Sequence, residues 1–398
     1  MNDNDKFEML NKDIIYFDNA ATTFKPKCVI DEVVNYYTNY CANSHRGEYD
    51  ISYRVDDNID KTRVNVQEFI NASDKSEVIF TYGCTDSINM IVDGFFKNIL
   101  IKGDEVILSE SEHASNILPW LVLAKKKGIV IKYAPLDKNR KLSIEDVINT
   151  ITNKTKVISL AYITNVIGDV RDIKTIGEYA KQNNIYFVVD AAQAIGHIKT
   201  DVQDANIDFL AFSAHKMYGP TGLGVLYAKK KYLNIMSPTR FGGGMNENFN
   251  KDSLILEDVP YRFEGGTHNL AAIVSFYYSI DFINKKGINN IRRTEEYLRR
   301  YAIKRLEEIP YINILNKNSE GAIILINMDN VYCGDLGLYL NSKKICVRSG
   351  QHCAKMIPSI DGKTNSLRIS FSFYNTYEEI DVLVNCLKDY EGILDFVK

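Results

Sequence analysis

The sequence lacks the features of a membrane, secreted or nucleic-acid-binding protein. In its 398 residues no apolar run approaches the roughly 20 residues that a membrane-spanning helix needs. The formal net charge is only −3 and there is no basic run, so neither predicts binding to nucleic acid. The first ten residues, MNDNDKFEML, are polar and acidic and do not resemble a signal peptide or an Arg-rich transit peptide.

Cysteine and histidine are also too scattered to predict a metal centre or a disulfide framework. The seven cysteines form no CxxC pair, and the six histidines form no HxxxH pair. Metal sites and disulfide-rich domains usually show such spacings. We therefore expect a reducing, cytoplasmic compartment and no catalytic metal.

What the sequence does contain is an alternation of apolar runs and amphipathic segments. Runs rich in Val, Ile, Leu and Phe, separated by helical patterns, predict an α/β fold with a large, mainly parallel sheet covered by helices on both faces. The predicted strands are 77–81, 104–110, 129–136, 156–163, 185–190, 207–213 and 224–229, and the predicted helices between them are 85–100, 114–127, 144–150 and 173–183.

The pattern changes after about residue 240, where glycine-rich loops precede two further helices and a small α/β layer. We expect a large domain over residues 15–283 and a smaller C-terminal domain over 284–398, with residues 1–14 packing against the small domain. A cleft should lie between the domains. In open α/β sheets, ligands bind beyond the carboxyl ends of the strands, so we expect the chemistry there.

Two residues at consecutive strand ends carry the first chemical signal. Lys216 follows the predicted strand 207–213 in a turn rich in Gly and Pro. A surface lysine is the plain alternative, but this position also suits a Schiff base with a carbonyl. Asp190 ends the preceding strand, where it could cap the next helix or pair with a pyridinium nitrogen. Together they could hold the aldehyde and the ring nitrogen of one cofactor.

Other polar residues follow strands at the same edge. TYGCTDSIN (81–89) opens a helix, so its N–H groups and the Thr85 hydroxyl could bind a phosphate or simply cap the helix. Ser213 and His215 could add hydrogen bonds to the same anion. His113 could stack on a cofactor ring or transfer protons, or be an ordinary polar group.

Cys353 lies in the polar, glycine-bearing segment VRSGQHCAK (347–355), where no strand or helix pattern is evident around the thiol. It could be a surface residue, half of a metal site, or a nucleophile.

Taken together, these residues resemble fold-type I pyridoxal-phosphate enzymes of the class V aminotransferase-like family, and within it the group II cysteine desulfurases of the SufS/CsdA type. The resemblance covers nearly the whole chain. Its motifs are YFDNAATT (16–23), NSHRGEYDIS (43–52), EHASN (112–116), TNVIGDV (164–170), VVDAAQAIGH (188–197), FSAHKMYGPTGLG (212–224), FEGGTHN (263–269), RSGQHCA (348–354) and SLRISFSFYNTYEEID (366–381).

The resemblance implies pyridoxal 5'-phosphate as cofactor and assigns residues to its ring. Lys216 matches the lysine that binds the cofactor, and Asp190 the partner of the ring nitrogen. His113 matches the histidine that stacks on the ring, and Gln193 the residue that hydrogen-bonds its phenolic oxygen.

The phosphate of the cofactor is assigned to a second group of residues. Thr85, Ser213, His215 and the backbone N–H of Cys84 match phosphate ligands. Thr267 matches a threonine that reaches the phosphate from the other subunit, which implies a homodimer.

The substrate side is implied in the same way. Asn165 and Arg368 match the residues that hold the substrate carboxylate, and the planar guanidinium suits that task. Cys353 matches the cysteine that carries a persulfide. Arg348, which is grouped with the substrate-binding residues, is the candidate cation that could favour a thiolate there, or it could form a structural ion pair.

The implied reaction converts L-cysteine to L-alanine and passes sulfur through Cys353 to an acceptor or scaffold protein, for iron–sulfur clusters or other thio-cofactors. A selenocysteine lyase or a C–S lyase with the same cofactor is the nearest alternative. A true aminotransferase would leave Cys353 without a function. A non-catalytic binding module is disfavoured because Lys216, Asp190 and Arg368 are all present.

The sequence departs from the family at three positions. Cys84 stands where threonine is frequent, and Gln351 where histidine is frequent. Gly334, in YCGD (332–335), replaces a histidine found in members that pair with a zinc-bearing scaffold. This last change argues against a docking mode based on zinc exchange.

Overall fold

The computed structural model describes residues 7–45, 47–357 and 365–397. Residues 1–6 of the N-terminal segment and Arg46 of the motif NSHRGEYDIS therefore lie outside the described residues.

The strands fall close to the predicted positions because the apolar runs that suggested them are buried. In chain order they are β1 (Ile15–Tyr16), β2 (Val78–Thr81), β3 (Glu105–Ser109), β4 (Val130–Ala134), β5 (Thr155–Ala161), β6 (Tyr186–Asp190), β7 (Phe209–Ser213), β8 (Gly224–Ala228), β9 (Asn246–Phe249), β10 (Leu254–Leu256), β11 (Ile312–Ile314), β12 (Ile323–Met328), β13 (Ile345–Cys346), β14 (Arg348–Gly350) and β15 (Ser366–Ser370).

The helices alternate with the strands of the first two-thirds, as expected. They are α1 (Lys27–Asn39), α2 (Asp50–Ile70), α3 (Cys84–Met90), α4 (Lys97–Ile99), α5 (Ala114–Lys127), α6 (Ile144–Thr150), α7 (Ile173–Gln182), α8 (Lys230–Leu233), α9 (Leu270–Lys286), α10 (Ile288–Leu306), α11 (Cys333–Ser342), α12 (Tyr377–Lys388) and α13 (Tyr390–Val397). The predicted helix 85–100 is divided, because a π-helical segment, Ile91–Phe96, joins α3 to α4. No helix among the described residues is both long enough and apolar enough to cross a membrane.

The large sheet has seven strands in the order β2-β8-β7-β6-β5-β3-β4. Strand β8 runs antiparallel to both neighbours, and the other pairs are parallel. Successive side chains alternate between two hydrophobic clusters: Phe187 and Val189 join one, and Val188 joins the other. Because both faces are buried, the strands are apolar almost throughout. The predicted fold class, a mainly parallel sheet covered on both faces, is confirmed.

The second sheet is antiparallel, in the order β11-β12-β15-β14. Its register sets Arg348 on β14 directly opposite Arg368 on β15. Two like charges in that position destabilise a sheet unless an anion lies between them. The N-terminal strand β1 pairs with β13, next to this sheet.

The proposed division between residues 283 and 284 falls within the last turn of α9 (Leu270–Lys286), and it stays a prediction, as does the packing of residues 1–14 on the small domain. Of that segment, Phe7 contacts Tyr218, Phe282 and Phe373.

Candidate active site

A pocket of about 240 Å³ opens at the carboxyl ends of β5, β6 and β7, the edge where ligands bind in open α/β sheets. It brings together nine of the residues singled out in the sequence. The lining consists of Cys84, Thr85, His113, Ser115, Ala161, Ile163, Asn165, Asp190, Ala192, Gln193, Ser213, His215 and Lys216.

Lys216 lies in the short 3-10 turn Ala214–Lys216 that follows β7. Its ammonium group makes no side-chain hydrogen bond within the described ranges of the chain. Burial lowers the pKa of Lys216, while the nearby Asp190 acts in the opposite direction. A lysine with a lowered pKa is a better nucleophile and base near neutral pH.

Residues of the N-terminal segment hydrogen-bond to the turn that carries Lys216. The carbonyl oxygen of His215 accepts hydrogen bonds from the Thr22 hydroxyl at 3.1 Å, the Thr23 hydroxyl at 3.2 Å and the Lys25 ammonium at 3.1 Å, and also from the Thr23 backbone N–H at 3.1 Å. Burial lowers the pKa of Lys25 to about 8. The sequence reasoning missed these residues, although two of them lie within the quoted motif YFDNAATT.

Asp190 ends β6 with its carboxylate buried in the pocket wall. Its Oδ1 accepts from the backbone N–H of Ala192 at 2.9 Å and from the Cys84 thiol at 3.3 Å. Its Oδ2 has no hydrogen-bond partner in the part of the chain that is described. Burial, followed by the charge of Asp190, raises the pKa of Cys84 well above its ordinary value, so Cys84 stays a thiol. Gln193, one turn away, donates its side-chain N–H to the carbonyl of Ala20 at 2.7 Å.

The start of α3 forms the end of the pocket where the sequence predicts a phosphate site. The Cys84 N–H donates to the Ser213 hydroxyl at 2.8 Å, and the Thr85 hydroxyl lies 2.7 Å from that of Ser115. Ser115 in turn hydrogen-bonds Nδ1 of His113 at 3.0 Å. Ser115 was not predicted as a site residue. Its position in the first turn of α5, directly after His113, could have indicated it.

Both imidazoles of the pocket are neutral at neutral pH. Burial, then the charge of Lys216, lowers the pKa of His113. Burial, then Lys216 and Lys25, lowers the pKa of His215 to about 4. A neutral ring suits stacking on an aromatic cofactor, and a neutral His215 can still donate one hydrogen bond.

Arg368 is held by two groups and keeps an unused donor. Its Nη1 donates to the Asn165 carbonyl at 3.0 Å and its Nη2 to Asp18 Oδ1 at 3.0 Å. Its Nε is buried without a hydrogen-bond partner among the described residues. Burial lowers the pKa of Arg368, while Asp18 acts in the opposite direction. A buried, unused guanidinium donor fits a carboxylate ligand.

Asp18 is the anion between the two facing arginines. Besides Arg368, it accepts from Arg348 Nη2 at 2.9 Å, which is the structural ion pair considered for Arg348. Its role was missed because the 350 residues that separate it from Arg368 carry no signal of the contact.

Cys353 has an exposed thiol on a segment whose backbone is tied to the pocket. The Cys353 carbonyl accepts from the Ala114 N–H at 2.8 Å, and the His352 carbonyl accepts from Asn165 Nδ2 at 2.7 Å. His352 and Cys353 have φ values of 50° and 60°, a left-handed backbone that is uncommon outside glycine and frequent at functional sites.

Thr267 does not line the pocket of its own chain. It is exposed, and its hydroxyl lies 3.4 Å from Asn43 Oδ1. Its assignment to the phosphate of a partner subunit stays a prediction.

Comparisons with known proteins agree with this geometry. The family described as Aminotransferase class-V matches residues 15–383, and the chain belongs to this family. A probable cysteine desulfurase from Halalkalibacterium halodurans is 37% identical over 388 residues, covering 97% of this chain and 96% of that protein.

Solved structures give the same result. The apo cysteine desulfurase from Thermococcus onnurineus NA1 has a TM-score of 0.93 at 31% identity and covers 98% of this chain and 97% of its own. The cysteine desulfurase CsdA from Escherichia coli, in an S-sulfonic acid form, has a TM-score of 0.91 at 31% identity, with the same coverage. The predicted fold-type I class and the predicted family are confirmed.

Proposed function

We propose that this chain is a pyridoxal 5'-phosphate-dependent cysteine desulfurase, which converts L-cysteine to L-alanine and takes the sulfur as a persulfide on Cys353. One observation carries the proposal. A buried pocket with a lysine and a facing carboxylate lies beside a thiol that is exposed to solvent and tied to the pocket through its backbone.

The residues of the pocket fit the cofactor. Lys216 supplies an amine for the aldehyde, and the unpaired oxygen of Asp190 can accept from a protonated ring nitrogen. The start of α3, with Thr85 and Ser213, offers donors to the phosphate. When bound, pyridoxal phosphate supplies the electron sink that stabilises negative charge at the substrate Cα.

The residues of the chain then have distinct tasks. Arg368 binds the substrate carboxylate through its free Nε, supported by Asn165. Lys216, whose pKa is lowered by burial, takes the proton from the substrate Cα. His113, in the wall of the pocket, would stack on the cofactor ring.

The sulfur transfer occurs at Cys353. Its thiolate attacks the sulfur of the bound cysteine, so an S–S bond forms as the bond between sulfur and Cβ breaks. Protons delivered to the remaining three-carbon fragment convert it to alanine. The left-handed backbone at His352 and Cys353 supports the idea that this segment is held in a functional conformation.

The exposed thiol also supports delivery of sulfur to another protein, because a persulfide there can be reached from outside. We assign this sulfur to iron–sulfur cluster assembly or other thio-cofactors in the cytoplasm, through an acceptor or scaffold protein. A homodimer, in which Thr267 of the partner subunit reaches the phosphate, completes the proposal. The exposure of Thr267 and its absence from its own pocket support this part.

The test is alanine formation from L-cysteine by the purified protein with pyridoxal phosphate, measured with and without candidate acceptor proteins. We expect one alanine per sulfur transferred and a faster reaction when an acceptor removes the persulfide. Absence of alanine would contradict the proposal. A rate that no acceptor or thiol changes, with sulfide released freely, would favour a C–S lyase.

A further inference from the structure

Cys84 occupies a position from which it contacts both ends of the proposed cofactor site. Its backbone N–H donates to the Ser213 hydroxyl at 2.8 Å, at the end proposed to bind the phosphate. Its thiol lies 3.3 Å from Oδ1 of Asp190. Cys84 is the first residue of α3 and its side chain is buried, so the helix, and not a loop, sets the position of the thiol.

The hydrogen bonds of Asp190 are unequally shared between its two oxygens. Oδ1 accepts from the Ala192 N–H and from the Cys84 thiol, whereas Oδ2 accepts none in the described part of the protein. Two donors on one oxygen oppose rotation of the carboxylate about its Cβ–Cγ bond. The second oxygen is thereby kept for a donor in the pocket, which reduces the entropy lost when that donor binds.

The thiol can serve only as the donor in this contact. A carboxylate accepts, and a thiol has one weak S–H to give. A thiolate at this position would face the negative charge of Asp190 in a buried site. Cys84 and Cys353 therefore differ in their surroundings: Cys84 is a buried, protonated thiol, whereas the thiol of Cys353 is exposed to solvent.

We propose that the Cys84 side chain is a positioning residue that holds the Asp190 carboxylate for the ring nitrogen of the cofactor. This inference rests on the proposed function, because it assigns Asp190 to that nitrogen. It gives a specific task to the cysteine found at a position where threonine is frequent: its thiol donates to Asp190.

The test compares variants that differ in the donor and little else. Cys84→Ala removes it, and Cys84→Ser keeps one in nearly the same shape. Cys84→Val and Cys84→Thr form a second pair of equal shape, which serves if the alanine variant does not fold. Cys333→Ala is the control, because Cys333 is also a buried thiol but packs in the core of the small sheet.

Two quantities are measured: the dissociation constant of pyridoxal phosphate, and the absorbance maximum of the bound cofactor. We expect about tenfold weaker binding in Cys84→Ala, as for loss of one hydrogen bond to a charged group, with a shifted absorbance maximum. Cys84→Ser and Cys84→Thr should bind the cofactor with a dissociation constant within about threefold of the wild type. A threefold change corresponds to roughly half the free energy of a tenfold change. Cys84→Val should behave like the alanine variant, and Cys333→Ala like the wild type.

Unchanged affinity and absorbance in both Cys84→Ala and Cys84→Val would overturn the inference. The inference would also fail if cofactor affinity fell equally in Cys84→Ser and Cys84→Ala, and equally in Cys84→Thr and Cys84→Val. The loss would then depend on the shape of the side chain and not on its hydrogen-bond donor. These results are distinct from failure of the proposed function, which would appear in the wild type itself as no bound cofactor and no alanine formed from cysteine.

Discussion

Replacing Asp18 with asparagine should lower stability and at the same time strengthen binding of the substrate carboxylate. Asp18 lies between Arg368 and Arg348 and accepts hydrogen bonds from both. The Asp18→Asn change keeps an oxygen acceptor at the site but removes the charge. The two arginines, opposite each other in the sheet, then lose the anion that separates them.

The magnitude of the stability effect follows from burial. The side chain of Arg368 is 3% exposed and that of Asp18 is 14% exposed, and removing one partner of a buried pair costs about 3–5 kcal/mol. Arg348 is 48% exposed, so its pair adds little. Because asparagine still accepts one hydrogen bond, we expect a loss of about 2–3 kcal/mol. In a chain of this size that corresponds to a fall of roughly 2–4 °C in the melting temperature.

The effect on ligand binding has the opposite sign. In the wild type, Asp18 repels any carboxylate that binds to Arg368, and two charges about 5 Å apart repel by roughly 3 kcal/mol at the effective dielectric constant of a protein surface. If about a third of this remains after solvent screening, L-alanine should bind about fivefold more tightly to Asp18→Asn.

The assay is the melting temperature without and with increasing L-alanine, the product that carries the carboxylate but no sulfur. Asp13→Asn is the control, because Asp13 also pairs with a cation but is 87% exposed. An unchanged melting temperature in Asp18→Asn, or weaker binding of alanine, would refute the electrostatic account of this cluster.

Further predictions concern residues on either side of the pocket. Lys216→Ala should abolish turnover, because the cofactor loses its attachment and the substrate Cα loses its base; substantial remaining alanine formation would contradict the assignment. Arg368→Ala should raise KM for cysteine at least tenfold, as loss of a charge-assisted pair implies, while bound cofactor still absorbs as in the wild type; an unchanged KM would place the carboxylate anchor elsewhere. Lys25→Met should speed hydrogen exchange of the backbone at residues 214–218 and lower kcat, because the His215 carbonyl loses one of its donors. The control is Lys27→Met, which removes an exposed lysine and should change neither the exchange rate nor kcat. Burial lowers the pKa of His215 to about 4, so below about pH 6.5 the unfolded state binds more protons than the folded state. Stability should therefore fall as the pH falls from about 6.5 to about 4. His215→Gln should reduce this dependence of stability on pH, and an unchanged dependence would refute its assignment to His215.

The large sheet and most of the pocket could be predicted because both depend on local patterns. Buried parallel strands are apolar along their whole length, and their carboxyl ends meet at one edge of the sheet. Polar residues that directly follow such strands, including Asp190 and Lys216, therefore had to converge. Helix α5 lies where the sequence placed it, at 114–127.

The contacts of the N-terminal segment could not be predicted in this way. Asp18 reaches Arg368 across 350 positions, and Lys25 reaches the His215 carbonyl across 190. No periodicity connects positions so far apart, and the pairing depends on how this segment passes between the two sheets. The π-helical segment Ile91–Phe96 was missed for a different reason: its apolar residues fit an ordinary α-helical pattern equally well.

The central claim is that sulfur passes through Cys353, and mass spectrometry of that peptide tests it most directly. After the holoenzyme has reacted with L-cysteine in the absence of a reductant, the peptide containing RSGQHCAK should carry one additional sulfur atom, and this addition should disappear on reduction. The Cys353→Ala variant should bind cofactor and cysteine, yet form no persulfide and transfer no sulfur, whereas Cys346→Ala, which changes another cysteine of the same region, should behave like the wild type. Sulfur found on a different peptide, or transfer by Cys353→Ala at the wild-type rate, would contradict the account.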